Sequence, residues 1–317
     1  MSNPWIQAAR LRTLPLAISG IILGWSVSLP YMENSDQAWM IFGLAILTAV
    51  LLQITSNYAN DYGDYEKGVD QAAGRTDRML AAGNIAPKAM KTAIGLLSVI
   101  TFLNGLLLLW VSGVFEDNRG WFLLITGILA IAAAIYYTVG KHAYGYKGLG
   151  DVFVFLFFGV LTVIGMALLL NVRLLPIHGI ASIGMGCLST AVLNINNYRD
   201  ILSDQAKNKR TLAVIFGKKN TIIYQGLLLA LGSMCMVGSL VIIQHDYLQW
   251  GTWLRPDFAY TFGLFFPFFG AFSQQFRALK SSEPGDRETI NPLLKKLSLS
   301  IFALAIVFCF IVSFITS

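Results

Sequence analysis

Long apolar segments recur along this chain and leave little room for anything but a membrane fold. Crossing about 30 Å of hydrocarbon takes roughly 20 predominantly apolar residues. Nine segments are suitable, at 14–32, 38–59, 90–113, 120–138, 150–171, 177–196, 221–244, 259–276 and 297–316. Only 13% of the 317 residues are charged, against about 25% in soluble domains. We therefore predict an all-α, polytopic membrane protein with nine transmembrane helices.

The loop charges predict the orientation of the chain, because cytoplasmic loops of membrane proteins carry an excess of Lys and Arg. With the N-terminus inside, all but three of the 23 Lys and Arg residues fall in inner loops, and Arg119, Arg173 and Arg255 are the exceptions. This predicts a multi-pass protein of the cytoplasmic (inner) membrane with a cytoplasmic N-terminus. It also explains the net charge of +6 without nucleic-acid binding.

The sequence predicts neither a cleaved signal peptide nor a disulfide bond. Arg10 and Arg12 precede the first apolar segment, as in a signal peptide, but its length and the missing small-residue cleavage site predict a retained helix. Cys187, Cys235 and Cys309 lie in different apolar segments and lack metal-ligand spacing, so we expect no disulfide.

Two short acidic stretches share the pattern Asn-(Asp/Asn)-Tyr-x-Asp, and both follow apolar segments at the inner side. The first reads Asn60-Asp61-Tyr62-Gly63-Asp64 with Asp70 beyond it, and the second reads Asn196-Asn197-Tyr198-Arg199-Asp200 with Asp204 beyond it. Carboxylates where a helix leaves a bilayer are costly unless something cationic compensates them. The repeat predicts a pseudo-symmetric bundle with both motifs facing one central cavity, at which carboxylates and nearby Lys and Arg could hold a magnesium–diphosphate group.

The spacing within each motif predicts a shared helix face. Asn57, Asp61 and Asp64 are at i, i+4 and i+7, and Gly63 and Gly68 are expected to weaken the helix and let it break near the surface. Asn196, Asp200 and Asp204 are at i, i+4 and i+8, again on one face. The alternatives are a solvated acidic helix end for the first motif and incidental acids in a basic inner loop for the second.

Two further inner segments could contribute to the same site. Arg10 and Arg12 could reach a phosphate or simply set the orientation of the first helix. The inner loop after the fourth segment is aromatic and basic, and it could help to close the site. It contains Tyr136, Tyr137, Lys141, Tyr144, Lys147 and Asp151.

With these motifs the chain resembles the UbiA superfamily of intramembrane aromatic prenyltransferases. The family's first motif is usually Asn-Asp-x-x-Asp-x-x-x-Asp; Asn60, Asp61 and Asp64 match it, but position 68 is Gly and the next acid is Asp70. The second motif matches through Asn197, Asp200 and Asp204. Segments 10–15, 148–151 and 208–214 resemble the 1,4-dihydroxy-2-naphthoate prenyltransferase branch.

The resemblance implies a single integral-membrane prenyltransferase domain over 1–317, with helices around a central cavity that opens sideways to lipid. It implies a polyprenyl diphosphate donor, a dihydroxynaphthoate acceptor and demethylmenaquinone as the product. It also implies two Mg²⁺ ions, one held by Asp61, Asp64 and Asp70 and the other by Asp200 and Asp204. The remaining predicted substrate-binding residues are Asn60, Arg78, Asn197, Arg199, Lys209 and Arg210, with Arg10, Arg12, Tyr137 and Lys141 as weaker candidates.

Three alternatives stay open on sequence alone. A secondary transporter also has internal repeats, although its acids tend to lie near the membrane midplane in broken helices. A phosphatidyltransferase of the CDP-alcohol type would need Asp-Gly-x-x-Ala-Arg, which is not found here. Within the superfamily, 4-hydroxybenzoate, homogentisate, haem or chlorophyll acceptors are possible, since the cavity lining decides among them.

Overall fold

The computed structural model describes residues 3–33, 36–68, 78–140, 143–248 and 256–316, and all regular structure in them is helical. Short 3₁₀ turns occur at Leu11–Thr13, Leu29–Tyr31, Val114–Glu116 and Tyr144–Tyr146. The helices are α1 Pro4–Ala9, α2 Leu14–Ser28, α3 Asp36–Glu66, α4 Pro87–Val111, α5 Arg119–Tyr136, α6 Gly150–Leu169, α7 Pro176–Arg199, α8 Ile201–Ala206, α9 Leu212–Leu248, α10 Pro256–Ser281 and α11 Arg287–Thr316.

Eight helical segments in the described residues are long and apolar enough to cross a membrane. The first combines α1 and α2 as Pro4–Tyr31, and the others are α3, α4, α5, α6, α7, α9 and α11. The eighth predicted segment, 259–276, lies within α10, which is 26 residues long. The prediction of an all-α, polytopic membrane protein is confirmed, and the described helices are consistent with nine spans.

The first acidic motif lies inside a helix rather than after one. α3 continues to Glu66, beyond the predicted end at 59, so Asp61 and Asp64 occupy its last turns. α3 runs through Gly63 and ends two residues before Gly68, whose φ is 66°, so the predicted break occurs near Gly68 and not at Gly63. A Cβ at Gly63 would lie 2.7 Å from the carbonyl carbon of Thr138, so the glycine instead allows α3 to approach the segment that follows α5.

The second motif is divided between two helices. α7 ends at Arg199, Asp200 is its C-terminal cap, and Asp204 lies on the short helix α8. The interruption at Asp200 is slight, because the backbone N–H groups of Asp200 and Asp204 still donate to the carbonyl oxygens of Asn196 and Asp200, four residues earlier. A second interruption follows at Gly217, whose φ of 70° breaks α9 near its start.

Helix packing places both motifs at the same end of the bundle. α7 packs against α9 and α6, α2 packs against α11, and α3 packs against α4 and α5. The largest buried cluster fills the space among α2, α7, α9 and α11, with Leu23, Leu188, Met236, Leu304 and Phe308 inside it. A smaller cluster buries α1 against the C-terminal part of α3 and the N-terminal part of α4.

α6 changes its winding along its length, with π-helical turns over Phe155–Leu161 between two α-helical pieces. π turns inside α-helices are frequent at functional sites. Three residues of this stretch, Phe157, Phe158 and Leu161, line an apolar cavity that is described below.

Candidate active site

The carboxylates of the first motif are buried beside one arginine. Asp61 and Asp64 are almost fully buried, and Arg78 places its guanidinium nitrogens 3.9 Å from Oδ1 of Asp61 and 3.6 Å from Oδ2 of Asp64. The backbone N–H groups of Met79 and Leu80 lie near the Asp61 carboxylate, but neither of its oxygens accepts a close hydrogen bond within the described part of the chain. A buried carboxylate without close hydrogen bonds is costly, and a bound cation would offset that cost.

Tyr146 connects the two motifs, although the sequence analysis did not single it out. Its hydroxyl donates to Oδ1 of Asp64 at 2.7 Å. The Nζ of Lys67 lies 3.8 Å from the centre of its ring, and the Nζ of Lys209 lies 5.3 Å from it. Lys67 also donates to the carbonyl oxygen of Thr138 at 2.7 Å. The tyrosine ring therefore lies between basic side chains that serve opposite motifs.

Asp204 faces the first motif from the other side. Oδ1 lies 3.6 Å from the Nζ of Lys209, whereas the buried Oδ2 accepts no hydrogen bond within the described residues. Burial raises the pKa of the Asp204 carboxyl to about 6; Lys209 opposes this, while the negative charges of Asp200 and Asp64 add to it. The Asp64 and Asp204 carboxylates are therefore near enough to interact electrostatically.

Asp200 is held by two arginines. The Nε of Arg199 donates to Oδ1 at 3.0 Å and its Nη2 donates to Oδ2, while Arg287 from α11 places Nη2 3.4 Å from Oδ1. Arg199 also donates to Asn196 and Asn291. Arg287 and Asn291 were not among the predicted site residues, because nothing in their local sequence distinguishes them from the other polar residues of that segment.

Four arginines surround a cleft of about 370 Å³ at this end of the bundle. Arg78 and Arg199 enter it from the two motifs, and Arg10 and Arg12 enter it from the N-terminal segment. The remaining lining residues are Ile6, Gln7, Leu11 and Asn196. Guanidinium groups form strong, often bidentate hydrogen bonds with phosphate oxygens, so this cleft suits a phosphorylated ligand.

Residues 5–13, which we call the N-terminal strap, are fastened to α3. The Nδ2 of Asn57 donates to the carbonyl oxygen of Ala9 at 2.8 Å and to Oγ1 of Thr13 at 3.0 Å. The hydroxyl of Tyr58 donates to the carbonyl oxygen of Trp5 at 3.0 Å. Asn57 therefore does not serve the acidic face expected from its spacing; it holds the segment that carries Arg10 and Arg12.

An apolar cavity, also of about 370 Å³, extends from the motif region among α2, α3, α4, α5 and α6. Asn60 and Tyr137 line it near the acidic motifs, and apolar side chains such as Ile21, Leu124 and Met166 line it further away. The cavity is partly open. A ligand with a charged head and a long apolar tail would match the cleft and the cavity together.

Other predicted residues are only partly accounted for. Asn197 is buried within α7, and the oxygen of Asn60 accepts a hydrogen bond from Thr138 at 3.1 Å. Arg210 has an exposed side chain, while its backbone N–H donates to the carbonyl oxygen of Tyr146. Asp70 and Lys141 lie outside the described residues.

The oxygen donors suit Mg²⁺ in a particular way. Within the described part of the chain, no three His, Cys, Asp or Glu side chains converge closely enough to hold a metal ion by themselves. Mg²⁺ commonly uses one or two carboxylates and completes its shell with water and substrate phosphates. The unused oxygens of Asp61 and Asp204 fit that kind of shared coordination.

Comparison with known proteins decides the family. The model of the UbiA prenyltransferase family matches residues 18–289. The chain belongs to the UbiA prenyltransferase family. The UbiA match includes both acidic motifs, and it confirms the resemblance inferred from them.

Two curated UbiA relatives are close in sequence. The 1,4-dihydroxy-2-naphthoate octaprenyltransferase of Haemophilus influenzae is 40% identical over 242 residues, covering 75% of this chain and 77% of the relative. The protein of the same name from Escherichia coli K12 is 40% identical over 255 residues, covering 78% of this chain and 80% of the relative.

A solved UbiA structure shares the fold. The structure of a UbiA homologue from Archaeoglobus fulgidus bound to DMAPP and Mg²⁺ covers 97% of this chain and 99% of its own, with a TM-score of 0.63 and 11% sequence identity. At that identity the likeness concerns the arrangement of the helices.

Proposed function

We propose that this chain transfers an all-trans polyprenyl group from polyprenyl diphosphate to 1,4-dihydroxy-2-naphthoate, with loss of the acceptor's carboxyl group, to give demethylmenaquinol, which becomes demethylmenaquinone on oxidation. The observation that carries the proposal is the 40% identity, over about three quarters of both chains, to two enzymes of that name. The charged cleft and the apolar cavity support it, because the donor has a diphosphate head and an isoprenoid tail.

The acidic motifs are the proposed Mg²⁺ ligands. Asp61 and Asp64 would hold one ion and Asp204 with Asp200 a second, with Asp70 as a further ligand to the first. When bound, Mg²⁺ would offset the negative charge that develops on the departing diphosphate. Tyr146 keeps Asp64 in place through its 2.7 Å hydrogen bond, as outer partners of metal ligands commonly do.

The four arginines of the cleft are the proposed direct contacts to the diphosphate. Arg78 and Arg199 are already placed by the motifs with which they pair, and Arg10 and Arg12 reach the same cleft from the N-terminal strap. Lys209 belongs to the same group, while Asn60 and Asn197 would orient carboxylates or substrate. These donors are fixed before the reaction, so they stabilise the leaving group without further reorganisation.

In the transfer, the bond between the first prenyl carbon and the diphosphate oxygen breaks, and its electron pair leaves with the diphosphate. The electron-rich ring attacks the allylic carbon, and loss of carbon dioxide returns the electron pair of the broken carbon–carbon bond to the ring. Water must be kept away, because it would convert the allylic cation to an alcohol. The apolar lining of the cavity beneath the motifs provides that exclusion.

The proposed location is the cytoplasmic membrane, with the N-terminus and both motifs on the cytoplasmic side. The excess of Lys and Arg in the predicted inner loops supports this orientation. The donor reaches the site from the lipid phase and the anionic acceptor from the cytoplasm.

One assay tests the proposal directly. Purified protein in detergent or nanodiscs is incubated with a polyprenyl diphosphate, Mg²⁺ and, separately, dihydroxynaphthoate, 4-hydroxybenzoate or homogentisate, and the products are identified by mass. We expect decarboxylated, prenylated naphthoquinol from the first acceptor. Efficient prenylation of another acceptor but not of dihydroxynaphthoate would contradict the proposal, and so would vesicle uptake of a solute without any prenyl transfer.

A further inference from the structure

The connection between α10 and α11, residues 282–286, is fastened to the second acidic motif through its backbone. The carbonyl oxygen of Ser282 accepts a hydrogen bond from the hydroxyl of Tyr198 at 2.8 Å, and the N–H of Gly285 donates to the carbonyl oxygen of Arg199 at 3.0 Å. Gly285 has a φ of 95°, which residues with a side chain rarely adopt. These two contacts place the start of α11 beside the end of α7.

The first turns of α11 then reach the motif with side chains. Arg287 and Asn291 are four residues apart and so lie on one face of the helix. The Nη2 of Arg287 lies 3.4 Å from Oδ1 of Asp200, and the Nη1 of Arg199 donates to Oδ1 of Asn291 at 2.8 Å. A helix that carries neither aspartate motif therefore contacts both charged members of the second one.

The Arg199 guanidinium is held on every edge. Its Nε and Nη2 donate to the two carboxylate oxygens of Asp200, Nη2 also donates to Oδ1 of Asn196 at 2.9 Å, and Nη1 donates to Asn291. A guanidinium has five N–H donors in one rigid plane, and these contacts within the described residues use four of them. Because the plane is rigid, fixing Nη1 also fixes the edge that holds Asp200.

We propose, on the basis of the proposed function, that Asn291 is a positioning residue that orients the metal ligand Asp200 through Arg199. Asn196 lies on the same helix as Arg199, whereas Asn291 ties the guanidinium to a second helix. With Nη1 fixed, the arginine side chain cannot swing, and the Asp200 carboxylate keeps one orientation for the Mg²⁺ that it would share with the diphosphate. The start of α11 thereby belongs to the site.

The test measures binding of a non-reactive donor analogue, a prenyl diphosphate in which sulfur replaces the oxygen that leaves. Asn291→Leu removes the acceptor of Arg199 while keeping a side chain of similar size, and Asn291 is exposed, so no core contact is lost. Calorimetric titration at limiting Mg²⁺ should show an affinity about tenfold lower than that of the wild type, the lower end of what outer partners of a metal ligand contribute. At saturating Mg²⁺ the difference should shrink to about twofold, because mass action refills the site.

A double variant distinguishes positioning from an independent effect. Arg199→Lys keeps the positive charge but has no rigid fork to orient. Because Asn291 acts through that fork, adding Asn291→Leu to Arg199→Lys should lower the affinity no further. Asn220→Leu is the matched control, since Asn220 is an exposed asparagine of α9 that belongs to neither motif, and it should bind the analogue as the wild type does. Thermal unfolding in detergent shows that each variant is folded, and Asn291→Ala decides the matter if Asn291→Leu is not.

The outcomes are distinct from those of the proposed function, because the binding test contains no aromatic acceptor. Prenylation of a different acceptor by the wild type would overturn the proposed function and leave the role of Asn291 to be judged on analogue binding. An unchanged affinity in folded Asn291→Leu, equal losses at limiting and saturating Mg²⁺, or a further loss in the double variant would each overturn that role.

Discussion

Removing the hydroxyl of Tyr146 should weaken the response of the enzyme to Mg²⁺. Tyr146→Phe keeps the ring that lies near Lys67 and Lys209 but deletes the 2.7 Å hydrogen bond to Asp64. A hydrogen bond to a charged group contributes about 1.5–3 kcal/mol, and losing an outer partner of a metal ligand costs about 10–100-fold in metal affinity. Asp64 keeps Arg78 at 3.6 Å, so we expect the lower end of that range.

The expected result is a rise of about tenfold in the Mg²⁺ concentration that gives half-maximal prenyl transfer, equivalent to about 1.4 kcal/mol. The assay is a Mg²⁺ titration at saturating substrates in purified protein. Tyr62→Phe is the matched control, because it deletes a hydrogen bond to the carboxylate of Glu66 at an exposed position on the same helix. A folded Tyr146→Phe protein with the Mg²⁺ dependence of the wild type would refute the view that Tyr146 orients a metal ligand.

Three further predictions concern the same end of the bundle. Gly63→Ala should lower the free energy of unfolding in detergent by about 1–3 kcal/mol, because the added methyl group overpacks the contact with Thr138. At Gly95 an added Cβ meets open space, so Gly95→Ala should not destabilise the protein. Equal melting temperatures for the two variants would contradict this. Asn57→Ala should loosen the N-terminal strap and raise the KM for prenyl diphosphate several-fold. Asn104→Ala removes comparable hydrogen bonds between α3 and α4 and should leave that KM unchanged. Equal KM values in the two variants would contradict this role of the strap. EDTA should stop prenyl transfer and Mg²⁺ restore it, and Asp200→Asn should abolish turnover in a folded protein; substantial activity in either case would contradict the assignment.

The length of the apolar segments was sufficient to predict an all-helical membrane protein. Long apolar segments allow few alternatives in a bilayer, because every backbone polar group must be paired within a helix. Helix ends were less predictable. α3 continues through Gly63 because Thr138 packs against it, and a contact of that kind involves residues far apart in the chain.

The site was predictable where chemistry is concentrated in a short stretch, as in the two aspartate motifs. It was not predictable where a residue acts through a distant partner. Nothing in the sequence distinguishes Tyr146 from the nearby Tyr144, and its hydrogen bond to Asp64 forms only because the segment after α5 folds over α3. Arg287 likewise reaches Asp200 across 87 positions, which no local spacing could indicate.

The size of the apolar cavity bears on which tails the protein can accept. A 150 Å³ cavity holds one benzene molecule, so about 370 Å³ would enclose on the order of fifteen carbon atoms at the same density. A longer isoprenoid must therefore continue through the opening and lie among the lipid chains, where its remaining units meet no protein wall that could measure them. The number of isoprene units in the quinone would then be fixed by whichever enzyme builds the donor.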